Sequence, residues 1–224
     1  MSEYSVHAPM TAQLQMKLER TVKALQMNRM DACWVSTKEE ALDKVRALLQ
    51  KGSTVTCGGS MTLAECGIME LLRSGDYRFL DRAAVPQEEV PAVYRAAFSA
   101  DAFLMSSNAV TEQGELYNVD GNGNRVAALI YGPKEVIVVA GANKIVPDIP
   151  AAVQRVKRLA APVNAMRLNQ DTPCSGCGLC AGVKGDLAAG CRAPQRICCS
   201  YVVSGFQRVP DRVHVILVAE NLGY

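Results

Sequence analysis

The stretch that most restricts the fold is residues 108–141, NAVTEQGELYNVDGNGNRVAALIYGPKEVIVVAG. A polar loop, residues 108–114, follows an apolar run that reads as a strand. Residues 115–120 read as a short strand, and residues 121–124 as a turn rich in Gly and Asn. A one-turn apolar segment, residues 126–130, stops at Gly132-Pro133. Residues 136–140 are five apolar residues in a row, mostly β-branched and closed by Gly141, the pattern of a strand buried on both faces. Gly121 and Gly123, flanked by Asn122 and Asn124, favour left-handed or tight backbone whose amides can face a ligand. Glu112, Glu115, Asn118 and Asp120 crowd the same span, more polar groups than a solubilising loop between two core strands requires. A long hairpin with ordinary turn chemistry is the plain alternative.

On either side, strand and helix patterns alternate. Leu14, Leu18, Val22 and Leu25 recur at helical spacing within residues 11–30. Residues 33–35 read as a strand, and Thr37-Lys-Glu-Glu40 as a capping box ahead of an apolar face of Ala41, Val45, Leu48 and Leu49, with Gly52 as the stop. Thr54–Cys57 is a strand followed at once by Gly58-Gly59-Ser60 and a helix over residues 62–72. A helix from Glu89 leads to a strand at Ala102–Met105. Residues 151–159 read as a helix with Ala152, Val153, Val156 and Leu159 inward and Arg155, Lys157 and Arg158 outward. Residues 213–219 form the last strand. This alternation predicts an α/β fold, a mostly parallel sheet with helices on both faces. It is organised as an N-terminal helical segment, residues 1–30, and an α/β domain over 31–224 that includes the Cys-rich segment 172–200.

Ligands of such sheets bind beyond the carboxyl ends of the strands. Gly58, Gly59 and Ser60 follow one strand and open a helix, an arrangement that offers free amides to an anion. The same glycines equally permit a tight turn, since neither phosphate-binding glycine motif is present. Asn108 and Thr111 follow a second strand, so the two loops are expected to face one cleft, with Asn118 and Asp120, around a small anionic metabolite or a phosphate-bearing ligand. Only two histidines occur, His7 and His214, which argues against a Ser-His-Asp or Cys-His site. Acid–base work would fall to Glu112, Glu115, Asp120, Lys134 or Lys144, with Glu112 and Glu115 the catalytic candidates. Each of these taken singly also reads as a solvated surface group.

A net charge of +2 with no basic stripe or aromatic platform gives no nucleic-acid footprint. No apolar run nears the ~18 residues of a membrane span, and the start lacks a secretory pattern, so the expected location is the cytoplasm. Thiols there stay reduced, and six of the nine cysteines fall within residues 174–199, which points to a metal. Cys174-x2-Cys177-x2-Cys180 begins like a ferredoxin run, but Lys184 stands where the fourth thiol belongs. Cys191 and Cys198 are the distant candidates, with Arg192 and Arg196 nearby to offset thiolate charge. Cys199 is the least suited, because adjacent residues of an extended segment point to opposite sides. A [4Fe–4S] cluster, a four-thiolate zinc site and plain buried thiols are all open to this pattern.

Four pieces together resemble the lactate-utilisation domain (LUD) family: GGSMTLAECGI at 58–68, the run from Ser107 to Val146, RVKRLAAPVNAMRL at 155–168 continuing to TPC at 172–174, and the terminal LVAENLGY. The resemblance implies the fold of ribose-5-phosphate isomerases, sugar-phosphate deaminases and coenzyme A transferases. Some relatives belong to bacterial systems that oxidise lactate with iron–sulfur partners. The chain is similar to the short, stand-alone type, whose tails follow TPC-x5-C-x2-C-x6-C. Cys174 and Cys180 keep the first spacing and Cys191 and Cys198 the last, while ten residues separate the middle pair and Cys177 and Cys199 are additional. The resemblance favours a [4Fe–4S] centre over zinc, and a redox accessory or subunit in hydroxy-acid (lactate-type) oxidation with a redox partner protein. A ligand or redox sensor, or an isomerase or transferase acting on a sugar phosphate or CoA ester, are the alternatives. A homodimer is expected because the N-terminal helix has few evident partners in a compact sheet domain.

Overall fold

The computed structural model describes residues 7–224; residues 1–6 of the predicted N-terminal segment lie outside them. In chain order the elements are α1 (His7–Met27), β1 (Asp31–Val35), α2 (Lys38–Leu48), β2 (Thr54–Cys57), α3 (Met61–Glu65), α4 (Ile68–Leu72), β3 (Arg78–Leu80), α5 (Val90–Ala96), β4 (Ala102–Met105), β5 (Ala109–Thr111) and β6 (Leu116–Asp120). They continue as α6 (Asn124–Tyr131), β7 (Glu135–Gly141), β8 (Ile145–Val146), α7 (Ile149–Arg155), α8 (Ala161–Arg167), α9 (Pro173–Cys177), β9 (Ser200–Ser204) and β10 (Val213–Val218). Six strands form one parallel sheet in the order β1-β10-β7-β4-β2-β3. The fold is α/β.

The continuous apolar runs of the central strands follow from burial on both faces. Ile137 and Val139 of β7, Leu104 of β4 and Ile216 of β10 face a core shared with α2, α3 and α4. Their neighbours Val136, Val138, Phe103, Met105 and Leu217 face a second core with Leu18 and Leu25 of α1 and Leu129 of α6. The helix that sequence left without a partner therefore packs on the sheet of its own chain. Thr37 caps α2 as expected, accepting from the Glu40 amide, whereas the Glu40 carboxylate reaches back to Ser36 rather than to Thr37. The expected stop at Gly52 comes early: α2 ends at Leu48, and Gly52 sits in the following turn at φ +80°. The predicted helix over 62–72 is two short helices, broken where Gly67 turns left-handed at φ +70°.

The hairpin alternative holds for residues 109–120. β5 and β6 pair antiparallel and join β8 and β9 in a second sheet, order β8-β5-β6-β9. Gly114 turns this hairpin at φ +83°, with the α1 backbone at Ala24 so close that a Cβ would stand 2.5 Å from it. Tyr117 and Val119 of β6 pack with Ala152, Val153 and Val156 in a third core.

The facing predicted for 151–159 fails at its C-terminal half. A π-helical turn, Val156–Ala160, is inserted between α7 and α8, which adds a residue to the turn and rotates everything after it. Lys157 is 4% exposed instead of solvated, and Leu159 is 43% exposed instead of buried. No described helix is long and apolar enough to cross a membrane.

Candidate functional site

The carboxyl ends of β2, β4, β6 and β7 open on one cavity of about 950 Å³, within the range of ligand sites. Its walls carry Gly59, Ser60, Asn108 and Asp120, with Ser106, Arg125 and Lys144. Arg82 and Tyr94 close one side, Arg167 and Tyr224 another, and residues 194–197 a third. Five basic side chains, Arg82, Arg125, Lys144, Arg167 and Arg196, line it against one acidic side chain, Asp120. A cleft of that balance concentrates anions.

The glycine pair after β2 serves these cations. A Cβ on Gly58 would press on the Arg125 stem at 2.9 Å, and one on Gly59 would meet the Arg82 guanidinium at 2.5 Å. Two arginines thus lie over backbone that only glycine leaves bare. Ser60 caps α3 by accepting from the Leu63 amide, and that helix has only five residues.

Arg125 organises the polar span read from sequence. Its guanidinium donates to Asn118 Oδ1 at 2.6 Å, Asn108 Oδ1 at 3.0 Å, the Val119 carbonyl at 2.7 Å and the Ser106 carbonyl at 3.3 Å. Burial lowers its pKa, and Asp120 opposes that. Asp120 Oδ2 accepts from the Arg125 and Val126 amides, where a carboxylate complements the start of α6. Asn108 Oδ1 also accepts from the Val119 amide. Asn118 is fully buried, and its Nδ2 has no hydrogen-bond partner among the described residues. Arg82 is less committed, donating to the Tyr94 hydroxyl at 3.0 Å. Arg167 donates to Asn164 Oδ1 and to the Tyr224 hydroxyl.

Lys144 follows β7 in a single 3-10 turn. The reading of it as solvated is corrected: it is 4% exposed, and Nζ donates to Thr62 Oγ1 at 2.8 Å and to Ser106 Oγ at 3.0 Å. Burial, then Arg155, push its pKa down to about 7; Arg125 adds to this, while Glu65 and Cys66 oppose it.

Glu112 and Glu115 lie outside this cavity lining. Glu112 pairs with Lys17 and Arg20 of α1, and Glu115 accepts from the Thr111 hydroxyl at 2.7 Å. Thr111 is itself fully buried and bonded within its own hairpin.

The Cys-rich segment wraps the π turn. Cys180 donates its amide to the Lys157 carbonyl, and the Lys157 ammonium gathers the carbonyls of Gly182, Gly185 and Asp186. Gly182 lies against Ala189 and Gly190, with no room for a Cβ. The ten residues between Cys180 and Cys191 therefore close on themselves. Arg196 ties the other end, donating to the Cys191 carbonyl at 2.6 Å and the Cys198 carbonyl at 2.7 Å. Burial and the nearby thiols of Cys180, Cys174 and Cys191 push the Cys198 thiol up to about 12, with Arg196 pulling it back. Cys177 and Cys199 are exposed and spend their thiols on the Leu179 and Arg196 carbonyls. Among the described residues no three His, Cys, Asp or Glu side chains stand as a ready-made metal-binding group. Chemically, the thiols of Cys174 in α9 and of Cys180, Cys191 and Cys198 on loop segments are donors of the kind that thiolate-bound iron–sulfur or zinc centres use.

Sequence reading missed Arg82, Arg125, Arg167 and Tyr224. Arg125 had a signal, since it directly follows the Gly121–Asn124 turn; the others are brought in by folding.

The family model of the LUD domain matches residues 18–218. Among solved structures, a DUF162 family protein from Deinococcus radiodurans is similar with a TM-score of 0.50 and 14% identity, covering 93% of this chain and 98% of that one. At that identity the likeness concerns the fold alone. A ribose 5-phosphate isomerase A from Methanocaldococcus jannaschii is 14% identical over 78% of this chain and 80% of its own, and its TM-score of 0.36 supports no argument. No curated protein matches the chain significantly.

Proposed function

Since the chain belongs to the LUD-domain family, we propose that it is a redox accessory of hydroxy-acid (lactate-type) oxidation, holding a small anionic metabolite beside a thiolate-bound iron–sulfur centre. Membership relates it to lactate utilisation in general. The narrower reading is carried by one observation: residues 194–197, strung between Cys191 and Cys198, form a wall of the cation-lined cleft. Ligand cleft and thiols share a segment.

Cys174, Cys180, Cys191 and Cys198 would hold the centre, and Cys177 and Cys199 would not. When bound, such a centre supplies single-electron transfer. Arg82 and Arg167 receive the anion, and Arg196 fastens the wall to both flanking cysteine carbonyls. A redox partner protein exchanges electrons with the centre.

The test is anaerobic purification followed by iron, sulfide and zinc analysis and a visible spectrum. A brown protein with about four irons, absorbing near 400 nm and bleached by dithionite, is expected. Cys177→Ser and Cys199→Ser should keep the colour, and Cys198→Ser should lose it. One zinc and no colour would refute the redox reading while keeping the thiolate site. No metal at all would refute both.

A further inference from the structure

The least explained group in the molecule is the Lys144 amine. It lines the cavity, yet its side chain is nearly sealed in protein. Its two partners are hydroxyls, Thr62 Oγ1 and Ser106 Oγ, leaving one of an ammonium's three donors uncommitted. Among the described residues no carboxylate forms an ion pair with it. Glu65, which attracts it from a distance, spends an oxygen on the Gly223 amide.

A lysine needed only to anchor an anion gains nothing from such a position. Arg82 and Arg167 already offer permanent charge on the same walls. A buried amine without a counter-ion sheds its proton readily, and a neutral amine is a nucleophile. The cleft therefore combines a nucleophile, two hydroxyls within hydrogen-bond reach of it, and guanidiniums for an anionic arm.

We propose that Lys144 forms an imine with the carbonyl carbon of a small oxo compound that carries a carboxylate or a phosphate. The Nζ lone pair adds to the carbonyl carbon, and the carbonyl oxygen takes up the proton that nitrogen loses. Water then leaves from that carbon as the C=N bond forms, so no oxidant or reductant is consumed. Thr62 and Ser106 are placed to pass the protons, and Arg82 and Arg167 to hold the anionic arm. The inference deepens the anion-binding half of the proposed function, because oxidation of a hydroxy acid yields an oxo acid. It does not depend on the thiolate centre.

The experiment incubates the full chain with glyoxylate, or separately with glyceraldehyde 3-phosphate, reduces with sodium borohydride, and maps adducts by mass spectrometry. At pH 7 about half of the Lys144 amine is unprotonated, against about one in 3,000 for an ordinary lysine at 10.5. Residue 144 should thus be trapped at least about a hundredfold faster than exposed lysines. The two probes separate a carboxylate from a phosphate specificity. Lys144→Arg, which keeps a charge but cannot form the imine, should lose the adduct while its far-ultraviolet circular dichroism is unchanged. No adduct at residue 144 of the wild type with either probe, or adducts spread over surface lysines at ordinary rates, would overturn the inference. Trapping without an iron–sulfur centre would leave it standing while the redox reading fell, and an iron–sulfur centre without trapping would do the reverse.

Discussion

Lys144 imposes a measurable pH dependence on stability. In the unfolded chain its amine titrates near 10.5, and in the fold near 7, because burial and the Arg155 charge disfavour the ammonium. Between those values the unfolded state binds more protons than the native state, so stability rises with pH. Below pH 7 the penalty is fully present. Integrating one proton with these two values from pH 7 to pH 8.5 gives a gain of about 1.5 kcal/mol, and burial at 4% exposure leaves little solvent screening to reduce it. Other groups oppose this gain, weakly near pH 8.5 and strongly above it. The buried thiols of Cys57 and Cys66 are raised to about 11, so they stay protonated in the fold while the unfolded chain loses those protons from about 9 upward. Their contribution falls as pH rises.

Urea unfolding under reducing conditions, in a buffer free of phosphate and carboxylates, isolates the effect. Wild type should gain roughly 0.6 M in midpoint from pH 7 to 8.5, taking an m-value of about 2.5 kcal/mol/M. Lys144→Met should lose that gain and drift slightly downward over the same range, as the raised thiols of Cys57, Cys66 and Cys198 begin to oppose stability. A parallel slope in the variant, or a wild type that weakens towards pH 8.5, would refute the account of a proton-shedding lysine.

Two further outcomes test the frame around the cleft. Gly114→Ala should destabilise by about 3 kcal/mol or more in urea unfolding, because the new Cβ collides with the α1 backbone at a left-handed residue. Gly52→Ala, equally left-handed but facing open space, should cost only about 1 kcal/mol. Lys157→Met should release residues 182–186 by stripping three carbonyls of their shared donor. Hydrogen exchange at the Gly185 and Ala189 amides and alkylation of Cys180 and Cys191 should both speed up, at a stability cost of about 1–3 kcal/mol.

The parallel sheet was legible because its evidence is local and periodic. The β-branched run of β7, the apolar run of β4 and the glycine pair after β2 each state their role within a few residues. The second sheet was not, since three-residue β5 and two-residue β8 are too short to show a period and are fixed by pairing across the chain. The cleft was half legible. Gly59, Ser60, Asn108 and Asp120 sit in strand-end loops, where ligands of such sheets are expected. Arg82, Arg167 and Tyr224 arrive from a 3-10 turn, a helix end and the last residue, positions whose only common property is where folding puts them. Lys144 was named but read as solvated, because charge in a loop usually is; its burial depends on Thr62 from α3 and Ser106 from the loop after β4. At Lys157 the error has a single cause. A π turn leaves no mark in hydrophobic periodicity except a phase slip, and residues 151–159 are too few to reveal one.

In the tail, spacing along the chain says little about which thiols the fold leaves available. Counting residues favours Cys174, Cys177 and Cys180, three thiols within seven residues. In the fold Cys177 points out of α9's end and bonds the Leu179 carbonyl, whereas Cys174 is buried beside the Thr172 hydroxyl. The ten-residue interval looks prohibitive next to the two residues that the resemblance leads one to expect. It costs little reach, because Lys157 pins the inserted loop from inside and Gly182 meets Ala189 and Gly190 at its neck. Cys180 and Cys191 each lie within two residues of that neck. Cys198 follows through Arg196, whose guanidinium grips the carbonyls of both Cys191 and Cys198. The two cations thus order the segment from Gly182 to Cys198, on which three of the four cysteines of the proposed centre lie or border.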